Sequence, residues 1–352
     1  MKTKTWVVLF PIISLSLLIL VIGFNYVVDP YGFNNKFRIH HINANKTQTD
    51  SQSRKFKLGL IEDRKIEGIF LGSSEMTFLG NTDYMQKMTG IKYFNFAFNE
   101  QEIYESYKYL EYILKNNKVK QVVFGMHPLK FNKDGINYRQ DKPNNILGEK
   151  FNIKYYISHT MLIDSLKTLY KNINNYPQIY NSSGWKIVDR AQYYKIEKSN
   201  IKEWTKMKVG ESPHSFDASS KNFSLDTEKI RYLYQIIDLC KKNNINLKLL
   251  FTPMYYKHFT MMHSNIDADF SNLKRLIVQA HPFYDFMQIN KVNLDYMNFI
   301  DSVSHPNKKI SYLLIDALNV PNTDKKFGEL INSNNIEIHI KQVNDSIHRL
   351  DQ

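Results

Sequence analysis

Two separated stretches hold residues that can act together as a nucleophile and its base. The first is "IEGIFLGSSEM", where Gly72, Ser73 and Ser74 follow a run of apolar residues. The second is "NFIDSVSHPNKK", where His305 follows Asp301 by four residues. A serine hydroxyl needs a base to remove its proton, and an imidazole needs a carboxylate to fix its tautomer and orientation. Ser74, His305 and Asp301 are therefore the candidate catalytic residues, for acyl transfer through a serine ester. Each stretch also has a plainer reading. Gly72 and Ser73 can simply make a turn, Asp301 can be a capping residue, and His305 can merely precede the turn at Pro306.

The elements around these residues alternate between β and α. Ile66–Ser73, Ile91–Phe98 and Val119–Met126 are buried-strand candidates. Glu102–Asn116 places Ile103, Tyr107, Leu110 and Leu114 on one helical face. After a break, Thr227–Asn243 predicts a helix, "NLKLLFTPM" a strand, Asp267–Ala280 a helix, "FYDFM" a short strand and Lys308–Leu318 a last helix. Short apolar strands separated by amphipathic helices imply a mainly parallel sheet with helices on both faces. In such sheets, sites form at the carboxyl ends of the strands, where Ser74 stands.

The remaining segments frame this α/β region, 61–320. Residues 29–60, with the polar run "NANKTQTDSQSRK", read as a linker or extended arm. Residues 130–225 break the rhythm and read as an insertion or cap. Leu162, Leu166, Leu169 and Ile173 suggest one helix there, packed down by Trp185 and Trp204. The tail, 321–352, is polar, with "IEIHI" as a possible strand. The one cysteine, Cys240, falls on the apolar side of a helix with Ile230, Leu233 and Ile237, so no intrachain disulfide forms.

Near the N-terminus, Lys2 and Lys4 precede "WVVLFPIISLSLLILVIGFNYVV", Trp6–Val28, which carries no charge. At about 1.5 Å per residue, a helix of this length reaches roughly 35 Å, against a hydrocarbon core of about 30 Å. No small-residue cleavage site follows it, which favours a retained single-pass anchor in the cytoplasmic membrane over a signal peptide. The flanking lysines place the N-terminus in the cytoplasm and the rest of the chain on the extracytoplasmic face, periplasmic or extracellular. The net charge of +13 is spread along the chain, without an arginine-rich arm or zinc pattern. It fits an anionic lipid or polysaccharide surface, and no nucleic-acid partner is expected. No phosphate-cradling glycine motif occurs. His258 and His263, five apart, do not share a helix face, so no metal and no cofactor is expected.

Together the two blocks resemble the SGNH, or GDSL-like, hydrolase superfamily, over about 65–128 and 227–320. "LGSS" matches its first block, with Ser74 at the serine position. "DSVSH" resembles its last block with one extra residue, and Ser302 stands where the usual spacing puts the aspartate. A direct Ser74–His305 dyad is the alternative this leaves open. The second block, a turn whose backbone N–H serves the oxyanion, maps onto "YFNFAFNEQE", with Asn99 or Glu100 as the donor. The third block normally supplies an asparagine; "FGMHP" puts His127 there. Within the superfamily, an anchor followed by "GSSE" is similar to DltD-type and other anchored envelope proteins. This resemblance implies a three-layer, flavodoxin-like α/β/α fold and a serine esterase or acyltransferase. The substrate would be an acylated envelope polysaccharide or related polymer, and a membrane-bound acyltransferase a partner. The alternative is a catalytically decayed scaffold of the same machinery.

Overall fold

The computed structural model describes residues 3–33, 38–46, 53–62, 65–133, 153–188, 192, 195–211, 220–300, 304–320 and 327–350. In chain order, the helices used below are α1 (Thr3–Val28), α2 (Ser53–Glu62), α3 (Ser74–Leu79), α4 (Thr82–Thr89), α5 (Ile103–Asn116), α6 (Ile153–Ile157) and α7 (His159–Ile173). They continue with α8 (Ile201–Glu211), α9 (Thr227–Lys242), α10 (Tyr256–Ala280), α11 (Lys291–Leu294), α12 (Lys308–Asn319) and α13 (Ile336–His348). The strands are β1 (Gly68–Gly72), β2 (Tyr93–Asn95), β3 (Gln121–Met126), β4 (Asn246–Phe251), β5 (Phe283–Asp285) and β6 (Glu329–Ile331).

The chain divides into two units. One joins Met1–Asp63 to Asn144–Ile179, and the other joins Arg64–Pro143 to Tyr180–Gln352. The segment 130–225, expected as one insertion, is thus shared between them.

The first unit contains α1, of which Thr5–Val28 is long and apolar enough to cross a membrane. Pro11 is accommodated within it. The last turns of α1 pack on α6 and α7. Tyr31, Tyr156 and Met161 form a small core there with Ile22 and Phe33. Asp29 and Lys46 make a fully buried ion pair at 3.6 Å. Within the segment expected as a linker or extended arm, the described residues include a helix. Ser53–Glu62 is helical, and Phe56, Leu58, Leu60 and Ile61 are buried.

The second unit is α/β. Its six-stranded sheet has the order β2-β1-β3-β4-β5-β6, with the first five strands parallel and β6 antiparallel to β5. β1 and β3 carry burial along their whole length. This is why they read as continuous apolar runs rather than alternating ones. α5 packs with α9, α3 and α4 with α12, and α10 with α13. Phe70, Met76, Val123, Leu250, Phe286, Ile310 and Leu314 form a core between strands and helices. Cys240 is buried as expected, and burial pushes its thiol up to about 12.

The expected tail strand is a correction. "IEIHI" opens α13, because Ile336, Ile340, Val343 and Ile347 are buried along one helical face. The short alternation at 336–340 is a local coincidence within that longer helical period. The tail is also not a free polar extension: β6 extends the sheet and α13 packs on α10.

Candidate active site

Ser74 sits at the carboxyl end of β1, as the first residue of α3. Gly72 takes φ +131°, and a Cβ there would stand 2.6 Å from the Gly125 carbonyl oxygen. Only glycine fits that turn. Ser73 is extended and precedes the helix. Met76 then lies directly over Gly125 of β3, where an added Cβ would be 2.3 Å from its Cγ. The glycines of "LGSS" and "FGMHP" thus let α3 settle on β1 and β3. Asn95, at the end of β2, donates from Nδ2 to the carbonyls of Met76 (2.8 Å) and Gly80 (2.9 Å). Trp185 Nε1 donates to the Phe78 carbonyl at 2.9 Å, and the Lys186 N–H donates to that of Thr77 at 3.1 Å. Trp185 therefore clamps α3. Residues 75–79 are buried, and Ser74 is half-buried at the helix start.

His305 comes from the segment before α12. Phe299 and Pro306 form an antiparallel bridge, and the Ile300 N–H donates to the His305 carbonyl at 2.9 Å. Asn307 caps α12, accepting the Ile310 N–H, and donates from Nδ2 to the Met297 carbonyl at 2.8 Å. These contacts aim the half-buried His305 ring at α3, where it meets the Phe78 ring with centroids 5.2 Å apart. Phe78 is four residues after Ser74, so the two share a face of α3. Helical side chains lean toward the N-terminus, which directs this face back to Ser74. Asp301 and Ser302 lie outside the described residues.

The oxyanion candidates lie around the same strand ends. The turn at Asn99-Glu100 follows Phe98, whose N–H donates to the Gly72 carbonyl at 3.2 Å. A donor here without glycine is expected only for a turn free of positive φ; Glu100 takes φ +55°, so the turn carries at a glutamate the conformation that glycine adopts without strain. His127 follows β3 and is buried. Its Nδ1 accepts the Leu129 N–H at 3.3 Å, which leaves the proton of the neutral ring on Nε2. Burial holds its pKa down to about 4; the charge of Glu75 opposes this and that of Lys130 adds to it. At neutral pH, His127 is a neutral donor.

The strand order reverses between β1 and β3, the switch point at which parallel sheets bind ligands. A small pocket lies there, with room for about one water molecule. Gly72, Ser73, Gln101, Gly125, His127 and Lys130 are among the residues that line it. Lys130 is held by Glu102 at 2.7 Å. Gln101 Oε1 accepts the Phe98 N–H at 3.0 Å. Gln101 and Phe78 carried no sequence signal. One follows an irregular turn, and the other reads as an ordinary core aromatic.

His258 and His263 are buried in α10. Burial holds both imidazoles at about 4. Among the described residues, no group of three histidine, cysteine or acidic side chains converges as metal ligands would.

No protein-family model and no curated protein matches this sequence, so the arrangement stands on its own geometry.

Proposed function

We propose that the chain is a membrane-anchored serine esterase or acyltransferase of SGNH type, acting on acyl esters of a cell-envelope polysaccharide or related polymer. The observation that carries this reading is the placement of the His305 ring on Phe78, one helical turn from Ser74. The helix pairings on the parallel sheet fit the three-layer α/β/α arrangement of that superfamily.

In this reading, Ser74 Oγ attacks the ester carbonyl carbon, and His305 takes the hydroxyl proton. The carbonyl oxygen gains the negative charge and receives hydrogen bonds from the Ser74 N–H, the Asn99-Glu100 turn and His127 Nε2. Collapse of the tetrahedral intermediate expels the alkoxide, which takes the proton from His305. Asp301 orients the imidazole. Attack by water on the seryl ester then makes an esterase. Attack by a sugar hydroxyl makes an acyltransferase, with a membrane-bound acyltransferase as the partner that supplies acyl groups. α1 holds the domain at the cytoplasmic membrane, on its extracytoplasmic face.

The test is hydrolysis of p-nitrophenyl acetate, and labelling by a fluorophosphonate, with the full-length protein in detergent. Loss of both in Ser74→Ala supports the reading. Undiminished labelling of Ser74→Ala removes Ser74 from the mechanism. An unlabelled native protein favours the catalytically silent scaffold.

A further inference from the structure

α7 has its polarity reversed. Its buried residues are Met161, Asp164, Ser165, Thr168 and Asn172, four of the five polar. Leu166, Tyr170 and Ile173 are 52%, 60% and 56% exposed, and with half-buried Ile163 they follow one helical stripe. In a helix that borders water, these faces exchange places.

Three of the four inward polar groups are employed; Ser165 Oγ is buried without a hydrogen-bond partner among the described residues. Asp164 Oδ2 accepts the Tyr31 hydroxyl at 2.6 Å. Thr168 Oγ1 donates to the Asp164 carbonyl at 2.8 Å. Asn172 accepts the Asn45 N–H at 2.9 Å and donates to the Asn45 carbonyl at 2.7 Å. The helix is therefore fixed in this rotation by its polar side, and the apolar stripe has to face outward.

What lies outside is indicated by α1, in the same unit. Asn25 Nδ2, in the last turn of α1, donates to the Tyr156 carbonyl at 2.7 Å. Tyr26 and Tyr156 have ring centroids 5.8 Å apart. Ile22 packs on the cluster that includes Met161. α6 and the start of α7 thus sit at the level where α1 ends. At 15 residues, α7 is about 22 Å long, too short to span a core of about 30 Å. Exposed Lys167 and half-buried Lys171 flank the stripe, as cationic side chains do at a headgroup boundary.

We propose that α7 is a second membrane element, lying in the interface of the leaflet where α1 ends, with Ile163, Leu166, Tyr170 and Ile173 in the acyl region. This rests on α1 being a membrane span. It gives the protein a two-point attachment, which fixes the rotation of its first unit on the bilayer instead of leaving it on a swivel.

The experiment uses full-length protein carrying Cys240→Ala, reconstituted in phospholipid vesicles. Single cysteines replace Leu166, Tyr170 and Ile173, and each carries a nitroxide. Leu17→Cys on α1 and exposed Lys87→Cys on α4 are the controls. The expected result is severalfold greater relaxation by oxygen than by a water-soluble nickel chelate at all three α7 positions, as at residue 17. Nickel-dominated relaxation there, as at residue 87, overturns the proposal if residue 17 remains oxygen-dominated. A nickel-dominated residue 17 overturns the span itself, and the proposal with it.

Discussion

The His305 ring rests on the Phe78 ring at 5.2 Å, and Phe78 stands one turn along α3 from Ser74. In the proposed mechanism, Phe78 is the surface that holds the imidazole for Ser74. Replacing it by leucine keeps most of the packing, at less than about 1.5 kcal/mol, but removes the flat surface. Phe78→Leu is expected to lower kcat about tenfold, with KM and thermal stability little changed. Steady-state esterase kinetics beside a melting curve would separate this from unfolding. Equal kcat in the two proteins would show that His305 is positioned by other contacts.

His127 is a neutral donor through Nε2, because Nδ1 is occupied by the Leu129 N–H. His127→Phe is expected to reduce kcat about a hundredfold, the usual cost of one lost oxyanion donor. His127→Asn puts an amide donor in place of the imidazole and is expected to retain more activity. A His127→Phe enzyme with native kcat would exclude the residue from the oxyanion site.

Gly125 is required because Met76 fills the space its side chain would need. Gly125→Ala forces α3 away from β3, at about 1–3 kcal/mol, and displaces Ser74 with it. Adding Met76→Ala to Gly125→Ala should relieve part of this loss. A double-mutant cycle measures the coupling, and a coupling near zero would mean that the overlap is absorbed elsewhere.

The strands at β1 and β3 were legible because both are buried along their length, with Gly72 ending β1 and Gly125 one residue before the end of β3. Ser74 at the end of the first follows from the same pattern. α13 was misread because five alternating residues outweighed a longer helical period that extends to Ile347. The helix suggested by Leu162, Leu166, Leu169 and Ile173 exists, but it buries its polar side and leaves Leu166 and Ile173 exposed. Periodicity locates a stripe without saying which medium it faces. Trp185, which the sequence marks as a packing residue, donates to the Phe78 carbonyl. Its partner is more than a hundred residues away in sequence, and no local pattern encodes that pairing.

Asp285, at the end of β5, is fully buried between Lys274 Nζ at 2.7 Å and His339 Nε2 at 2.9 Å. Burial alone pushes this carboxyl up, but Lys274 and His339 outweigh it and hold it at about 2. Lys274→Met leaves a buried carboxylate with one partner fewer and is expected to cost about 3–5 kcal/mol. Asp285→Leu added to that variant should recover part of the loss. Denaturant titration of the three proteins checks this, and a Lys274→Met variant as stable as the parent would refute it.

His127, His258 and His263 have folded pKa values near 4, each lowered chiefly by burial. In the unfolded chain they return to about 6.5. Between these values the unfolded state binds more protons than the folded state, so stability falls as pH drops from about 6.5 toward 4. His339 acts in the opposite sense. Burial lowers its pKa, but hydrogen bonds to Asp285 and Glu329 outweigh this and raise it. Its contribution is present below about 6.5 and fades as pH rises through the folded value. Asp285, already down at about 2, releases its share only below about 3.8. His281 is also lowered by burial, so with four histidines against one the melting temperature should drop on going from about pH 6.5 to about pH 5. Replacing His258 and His263 by glutamine should flatten that slope. An unchanged slope in the double variant would show that acid acts on the protein through other groups.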